Sequence, residues 1–172
     1  MIQLSHDAIP FKEKKFPIVL VLDSITGPAN VGSLFRLADA FSIEKMIFCG
    51  SSFSDLNSSR VKRTARATIK NVISEEQESA VDACRKLAQE GYSILALEIS
   101  EGSLPVDSLK YDRFEKIALV LGNENSGIDE EVLKLADEHL HINMFGKNSS
   151  MNVAQAAGIA LFEITKSLQP VK

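Results

Sequence analysis

Residues 17–36 read PIVLVLDSITGPANVGSLFR, and this stretch decides the fold. Pro17 to Asp23 is a strand-length run rich in branched apolar side chains, with no polar alternation. Such a strand asks for apolar cover on both faces, the condition met inside a mostly parallel sheet. A turn at Gly27-Pro28 follows, and then Leu34, Leu37, Ala38 and Phe41 recur at the spacing of one helix face within Asn30 to Phe41. The pattern continues outward. Lys45 to Cys49, Ser93 to Ile99, Lys116 to Gly122 and a weaker His139 to Asn143 read as further strands. Glu78 to Glu90 reads as a helix with Ala80, Cys84, Leu87 and Ala88 inward and Gly91 as its stop. Strands alternating with helices predict an α/β fold, a mostly parallel sheet flanked by helices.

The chain has 172 residues, 45% of them hydrophobic, enough for one sizeable core. One domain over residues 17–172 is expected, after a charged N-terminal segment over 1–16. The longest apolar runs, Ile18 to Leu22 and Ile117 to Leu121, fall far short of the roughly 20 residues of a membrane span. The opening residues show no secretory pattern, so the expectation is a cytoplasmic protein. Cys49 and Cys84 are too few for a disulfide scaffold and lack C-x-x-C spacing, and they read as buried thiols with no metal. A net charge of −4 excludes a surface that attracts nucleic acid as a whole. A local patch is present, because Arg60, Lys62, Arg63, Arg66 and Lys70 place five positive charges and no negative one in eleven residues. The polar stretch before it, Ser51 to Ser59, is expected to be a mobile loop.

Three loops carry candidate chemistry. In the first, Gly27 and Gly32 have phosphate-loop spacing, but Ser33 and Leu34 stand where its Lys and Ser/Thr belong, so a nucleotide triphosphatase is excluded. No G-x-G-x-x-G occurs either. Taken alone, Asn30 reads as a helix N-cap and Arg36 as a solvated helix charge. In the second loop, residues 121–128, Gly122 and Gly127 bracket Glu124; this suits a tight bend against a ligand, or an ordinary turn with Glu124 at a helix start. The third, residues 142–153, gathers Ser149, Ser150 and Asn152 where the last helix begins, and capping accounts for one of them rather than three. That helix is rich in small residues from Ala154 to Ala160, which suits tight packing on the sheet or against a partner subunit.

Asn30 with Arg36, then Gly122-x-Glu124-x-x-Gly127, then Ile142-x-Met144 with Ser150-Met151-Asn152-Val153 resemble, in order, the three motifs of the SpoU or TrmH-like RNA 2′-O-methyltransferases. The resemblance spans roughly Pro17 to Leu168. It implies the SPOUT fold with a C-terminal trefoil knot, an exception to the general absence of knots. It also implies a homodimer that uses S-adenosylmethionine, held near Leu97, Gly122, Ile142, Ser150 and Met151, to methylate a ribose 2′-hydroxyl of structured RNA, with tRNA preferred to rRNA.

The resemblance assigns Arg36 to the hydroxyl, as a base or as the group that holds a phosphate and stabilises the developing alkoxide. The second description is preferred, since a free guanidinium keeps its proton to about pH 12 and above. By the same resemblance Asn30 orients Arg36 or the ribose, Glu124 fixes a basic partner or lines the site, and Ser150 with Asn152 orders the cofactor loop. Arg60, Arg63 and Arg66 are the expected RNA contacts, with a departure at Arg66-Ala67, where relatives often carry Gly-Ala. Two other readings stand beside this one. They are a knotted RNA-binding module without turnover, and a flavodoxin-like small-nucleotide domain supported only by the glycine-rich turns.

Overall fold

The computed structural model describes residues 14–50 and 56–169. Most of the expected N-terminal segment, and residues 51–55 of the expected mobile loop, lie outside these. Seven strands form one sheet: β1 (Phe16–Asp23), β2 (Ile43–Cys49), β3 (Ser74–Gln77), β4 (Ser93–Leu97), β5 (Leu104–Pro105), β6 (Ile117–Leu121) and β7 (Glu138–His141). Their spatial order is β3-β2-β1-β6-β4-β7-β5, and every pairing is parallel. Five helices join them: α1 (Pro28–Ala40), α2 (Ser59–Ala65), α3 (Ala80–Gln89), α4 (Glu130–Leu135) and α5 (Val153–Ser167).

The unbroken apolar run of β1 is used on both faces, as its sequence demands. Ile18, Leu20 and Leu22 point into one core with Leu34 and Phe35 of α1 and Leu161 of α5. Val19 and Val21 point the other way, onto Ala83, Cys84 and Leu87 of α3 and Val132 of α4. Strand β6 repeats the division, with Ile117, Leu119 and Leu121 on the first face and Ala118 and Val120 on the second. Period-two geometry thus sorts one apolar string into two cores, and each fully buried Leu or Ile contributes about 1.5–3 kcal/mol.

Helix limits follow from capping chemistry. Ser79 accepts from the Asp82 N–H to start α3, and Ser58 accepts from Val61 N–H to start α2. Asn30 does not cap α1. Gly27 holds that position with Pro28 as the first helical residue, the place where proline's missing N–H costs nothing. Two edge strands were not expected from the sequence: β3 is the polar run Ser74–Gln77, and β5 is only Leu104–Pro105. Among the described residues no helix is long and apolar enough to cross a membrane.

Cys49 closes β2 and Cys84 lies on α3, both without exposed surface. Burial pushes both thiols up to about 12, helped by the nearby Asp23 carboxylate and, for Cys49, by Cys84. A thiol so held is neither ionised nor accessible near neutral pH. Ellman's reagent at pH 8 is therefore expected to label neither cysteine in the native protein and both in urea.

Candidate active site

The loops after β1, β4, β6 and β7 meet at the carboxyl edge of the sheet, where parallel α/β folds collect their ligands. The loop after β6 is built around its glycines. A Cβ on Gly122 would lie 2.4 Å from the Gly127 carbonyl carbon and 2.5 Å from the Ile128 nitrogen, so only hydrogen fits there. Gly127 sits at φ +72°, which an L side chain adopts at a cost. Between them Asn123 and Gly127 exchange backbone hydrogen bonds of 3.1 and 2.9 Å. Asn123 Oδ1 accepts the N–H groups of Asn125 and Ser126, and Asn123 Nδ2 donates to the Ser24 carbonyl at 2.7 Å. Buried Asp23 accepts the Asp129 N–H at 2.9 Å, just where Asp129 caps α4. The loop is thus tied at two points to the end of β1.

A second set of contacts joins this loop to α1 and α5. Glu124 Oε1 accepts from Asn30 Nδ2, Asn30 Oδ1 accepts from Asn152 Nδ2 at 2.9 Å, and Asn152 Oδ1 accepts the N–H groups of Ala154 and Gln155. The direction of the chain is fixed by chemistry. An ionised carboxylate only accepts, so the Asn30 amide must turn its NH₂ toward Glu124 and its oxygen toward Asn152. Asn152 then has its oxygen left for the helix. One residue therefore caps α5 and closes the relay. The alternative reading of Glu124 as a helix-start acid is not what the structure shows, since Asp129, Glu130 and Glu131 fill that role on α4.

This relay separates two hollows. On one side is a cavity of about 440 Å³ whose lining includes Leu97, Gly122, Glu124, Ile142, Ser150 and Met151. Its floor is apolar, from Leu121, Ile128, Leu140 and Val153. On the other is an open cleft lined by Asn30, Ser33, Arg36, Leu37, Asn152 and Gln155. Arg36 is exposed there, on the same α1 face as Asn30, with no ion pair or hydrogen-bond partner among the described residues. The five residues expected at a cofactor all line the cavity. Asn30, Arg36 and Asn152 come together in the cleft.

The basic patch lies beside them. Val61 and Ala65 bury the inner side of α2, which leaves Arg60, Lys62 and Arg63 exposed. The helix packs directly on α1: a Cβ on Gly32 would stand 2.6 Å from the Thr64 Cβ. Arg66 and Lys70 are exposed on the 3₁₀ turn that follows. Arg66, the departure noted in the sequence, adopts φ +57°. A non-glycine residue is held there at a cost on the order of 1–3 kcal/mol. The turn that glycine would make is kept by an arginine.

The SpoU rRNA Methylase family model matches residues 17–162, nearly all of the described chain. The chain belongs to this family. It is 30% identical over 158 residues to an uncharacterized tRNA/rRNA methyltransferase of Borreliella burgdorferi, covering 92% of this chain and 68% of that one. Among solved structures it resembles an AdoMet-bound rRNA methyltransferase from Sinorhizobium meliloti, with a TM-score of 0.81 and 26% identity over 90% of this chain and 59% of that one. It also resembles the protein of a structure described as giving insight into 2-OH methylation of C/U34 on tRNA, with a TM-score of 0.76 and 26% identity over 88% of this chain and 95% of that one. The SpoU/TrmH fold expected from the motifs is thereby established. The curated relatives are longer, and this chain spans 57 to 68% of their length.

Asp23, Asn123 and Glu98 were not singled out in the sequence. The first two bind backbone across long separations, and only the Asn turn signal at Asn123 hints at this. Replacing Gly122 tests whether the loop is as tight as its geometry states. Gly122→Ala should cost about 1–3 kcal/mol in urea unfolding, whereas Gly146→Ala, where a Cβ meets nothing within 4 Å, should change stability by less than about 0.5 kcal/mol.

Proposed function

We propose that this protein transfers a methyl group from S-adenosylmethionine to a ribose 2′-hydroxyl of structured RNA. The observation that carries the reading is the pairing of a partly apolar cavity with an open cleft that exposes Arg36, across one hydrogen-bonded wall, in a chain of the SpoU family. The cavity fits the cofactor. Its volume is in the range of small-molecule sites, and its apolar lining residues suit an adenine ring. When bound there, S-adenosylmethionine supplies a methyl group already activated on a sulfonium, whose carbon–sulfur electron pair returns to sulfur.

The residues of the chain then have two tasks, alignment and charge stabilisation. Leu97, Gly122, Ile142, Ser150 and Met151 hold the donor from the cavity side. Asn30, Glu124 and Asn152 fix the wall at which the two reactants meet, and alignment of this kind is worth roughly 7–11 kcal/mol. Arg36 faces the cleft uncommitted, placed to hold a phosphate of the RNA and to stabilise the oxyanion as the hydroxyl oxygen attacks. The hydroxyl proton leaves to water, which reaches the open cleft. Arg60, Arg63 and Arg66 extend the cationic surface and position the RNA through its phosphates without reading its bases.

Transfer RNA is the substrate class this reading favours, supported by the near-equal length of the structure concerned with C/U34 of tRNA. A homodimer belongs to the same reading. Ile159 and Phe162 of α5 are 38% and 55% exposed, an apolar face that a partner subunit would cover. So does the knot: α5 packs against the Tyr111–Arg113 turn within the β4-to-β6 connection, as a chain end drawn through that connection would. A single domain over 17–172 and residence in the cytoplasm complete it.

The test separates binding from chemistry. With labelled cofactor and structured RNA, Arg36→Ala should lower the methylation rate about 100-fold or more, the scale on which loss of one preorganised charge-stabilising donor is felt. Calorimetry should find its S-adenosylmethionine affinity close to that of the wild type, because Arg36 lies across the wall from the cavity. Equal loss of cofactor affinity and rate would contradict the assignment.

A further inference from the structure

Among the residues lining the cavity there are two carboxylates, Glu98 and Glu124, and no lysine or arginine. Glu124 is occupied by Asn30. Glu98 is not held in the same way. Its Oε1 accepts only the N–H of its own neighbour Ile99 at 3.1 Å, it makes no ion pair, and Oε2 has no hydrogen-bond partner among the described residues. Oε2 lies so close to Gly127 that a Cβ there would stand 2.9 Å from it. The glycine at the closure of the β6 loop therefore leaves room for this carboxylate as well as meeting a backbone need. A half-buried carboxylate facing a ligand cavity with lone pairs unused can accept hydrogen bonds from the ligand.

The sheet order says which part of the ligand. Strand β4 lies between β6 and β7, and Glu98 follows its last residue, with the Glu98 N–H donating to Leu140 O at 2.9 Å. Glu98 thus stands between the β6 loop and the β7 loop, both of which line the cavity. The centre of S-adenosylmethionine is its ribose, with the adenine on one side and the amino-acid arm on the other. Resting on the cofactor reading above, we infer that Glu98 accepts hydrogen bonds from the 2′- and 3′-hydroxyls of the cofactor ribose and makes the cavity selective for a ribonucleoside. Two cis hydroxyls offer two donors to a carboxylate that only accepts.

Calorimetric titration decides it, with S-adenosylhomocysteine, its 2′-deoxy and 3′-deoxy forms, and methylthioadenosine, which lacks the amino-acid arm. Wild-type protein should bind each deoxy form roughly ten- to a hundred-fold more weakly than the parent, the range for a hydrogen bond to a charged group. Glu98→Ala should bind the parent more weakly by a similar factor, bind methylthioadenosine more weakly to the same degree, and no longer distinguish the deoxy forms. Glu98→Gln, of equal size, guards against loss of fold and should lose most of the discrimination. Variants that discriminate as the wild type does would overturn the inference. So would a loss confined to S-adenosylhomocysteine and absent for methylthioadenosine, which would place the carboxylate at the ammonium group. A wild type that binds none of these compounds would instead remove the cofactor reading itself.

Discussion

The amide of Asn30 is the point on which this molecule's site depends. Its two ends face Glu124, from the loop after β6, and Asn152, at the start of α5, so segments 94 and 122 residues apart in sequence are held on one helix of the first βα unit. None of the three side chains is buried, and each hydrogen bond alone is worth only about 1 kcal/mol. Their value lies in polarity. Because the carboxylate only accepts and the helix start only donates, the chain of amides runs in one direction, and a flipped amide leaves an acceptor facing an acceptor. A wall set in this way divides a cavity from a cleft without needing a bulky partition.

Charge is divided along the same wall. The cavity lining carries two carboxylates and no lysine or arginine, while Arg36 and the α2 patch stand outside it. A chain with net charge −4 thus presents carboxylates on one side of the wall and exposed arginines on the other. The two do not cancel, because the carboxylates and the arginines stand on opposite sides of the wall.

The fold was largely legible because β1 and β6 are apolar at every core position, and a strand with no polar face has few architectures open to it. The edges were not. Strand β3 is Ser-Glu-Glu-Gln, paired with β2 alone, and its side chains never declare a buried face. Helix α2 turns only Val61 and Ala65 inward, too few to show a period. At the site, residue types near turns were readable, but their partners were not. Asn30 was open to an N-cap reading because capping is a local rule, although Gly27-Pro28 already marks the helix start. Its actual partners are distant, and so are those of Asp23 and Asn123. Glu98 is the clearest case: nothing beside it in sequence marks it, and its meaning comes from β4 lying between β6 and β7.

The most direct test of the account is a crystal structure of the protein with S-adenosylhomocysteine bound. The ligand is expected in the cavity between the loops after β4, β6 and β7, with its sulfur toward the wall formed by Glu124, Asn30 and Asn152 and Arg36 open to solvent beyond. Ligand bound elsewhere, or bound in the cavity with its sulfur turned away from that wall, would contradict the claim that cofactor and RNA meet there.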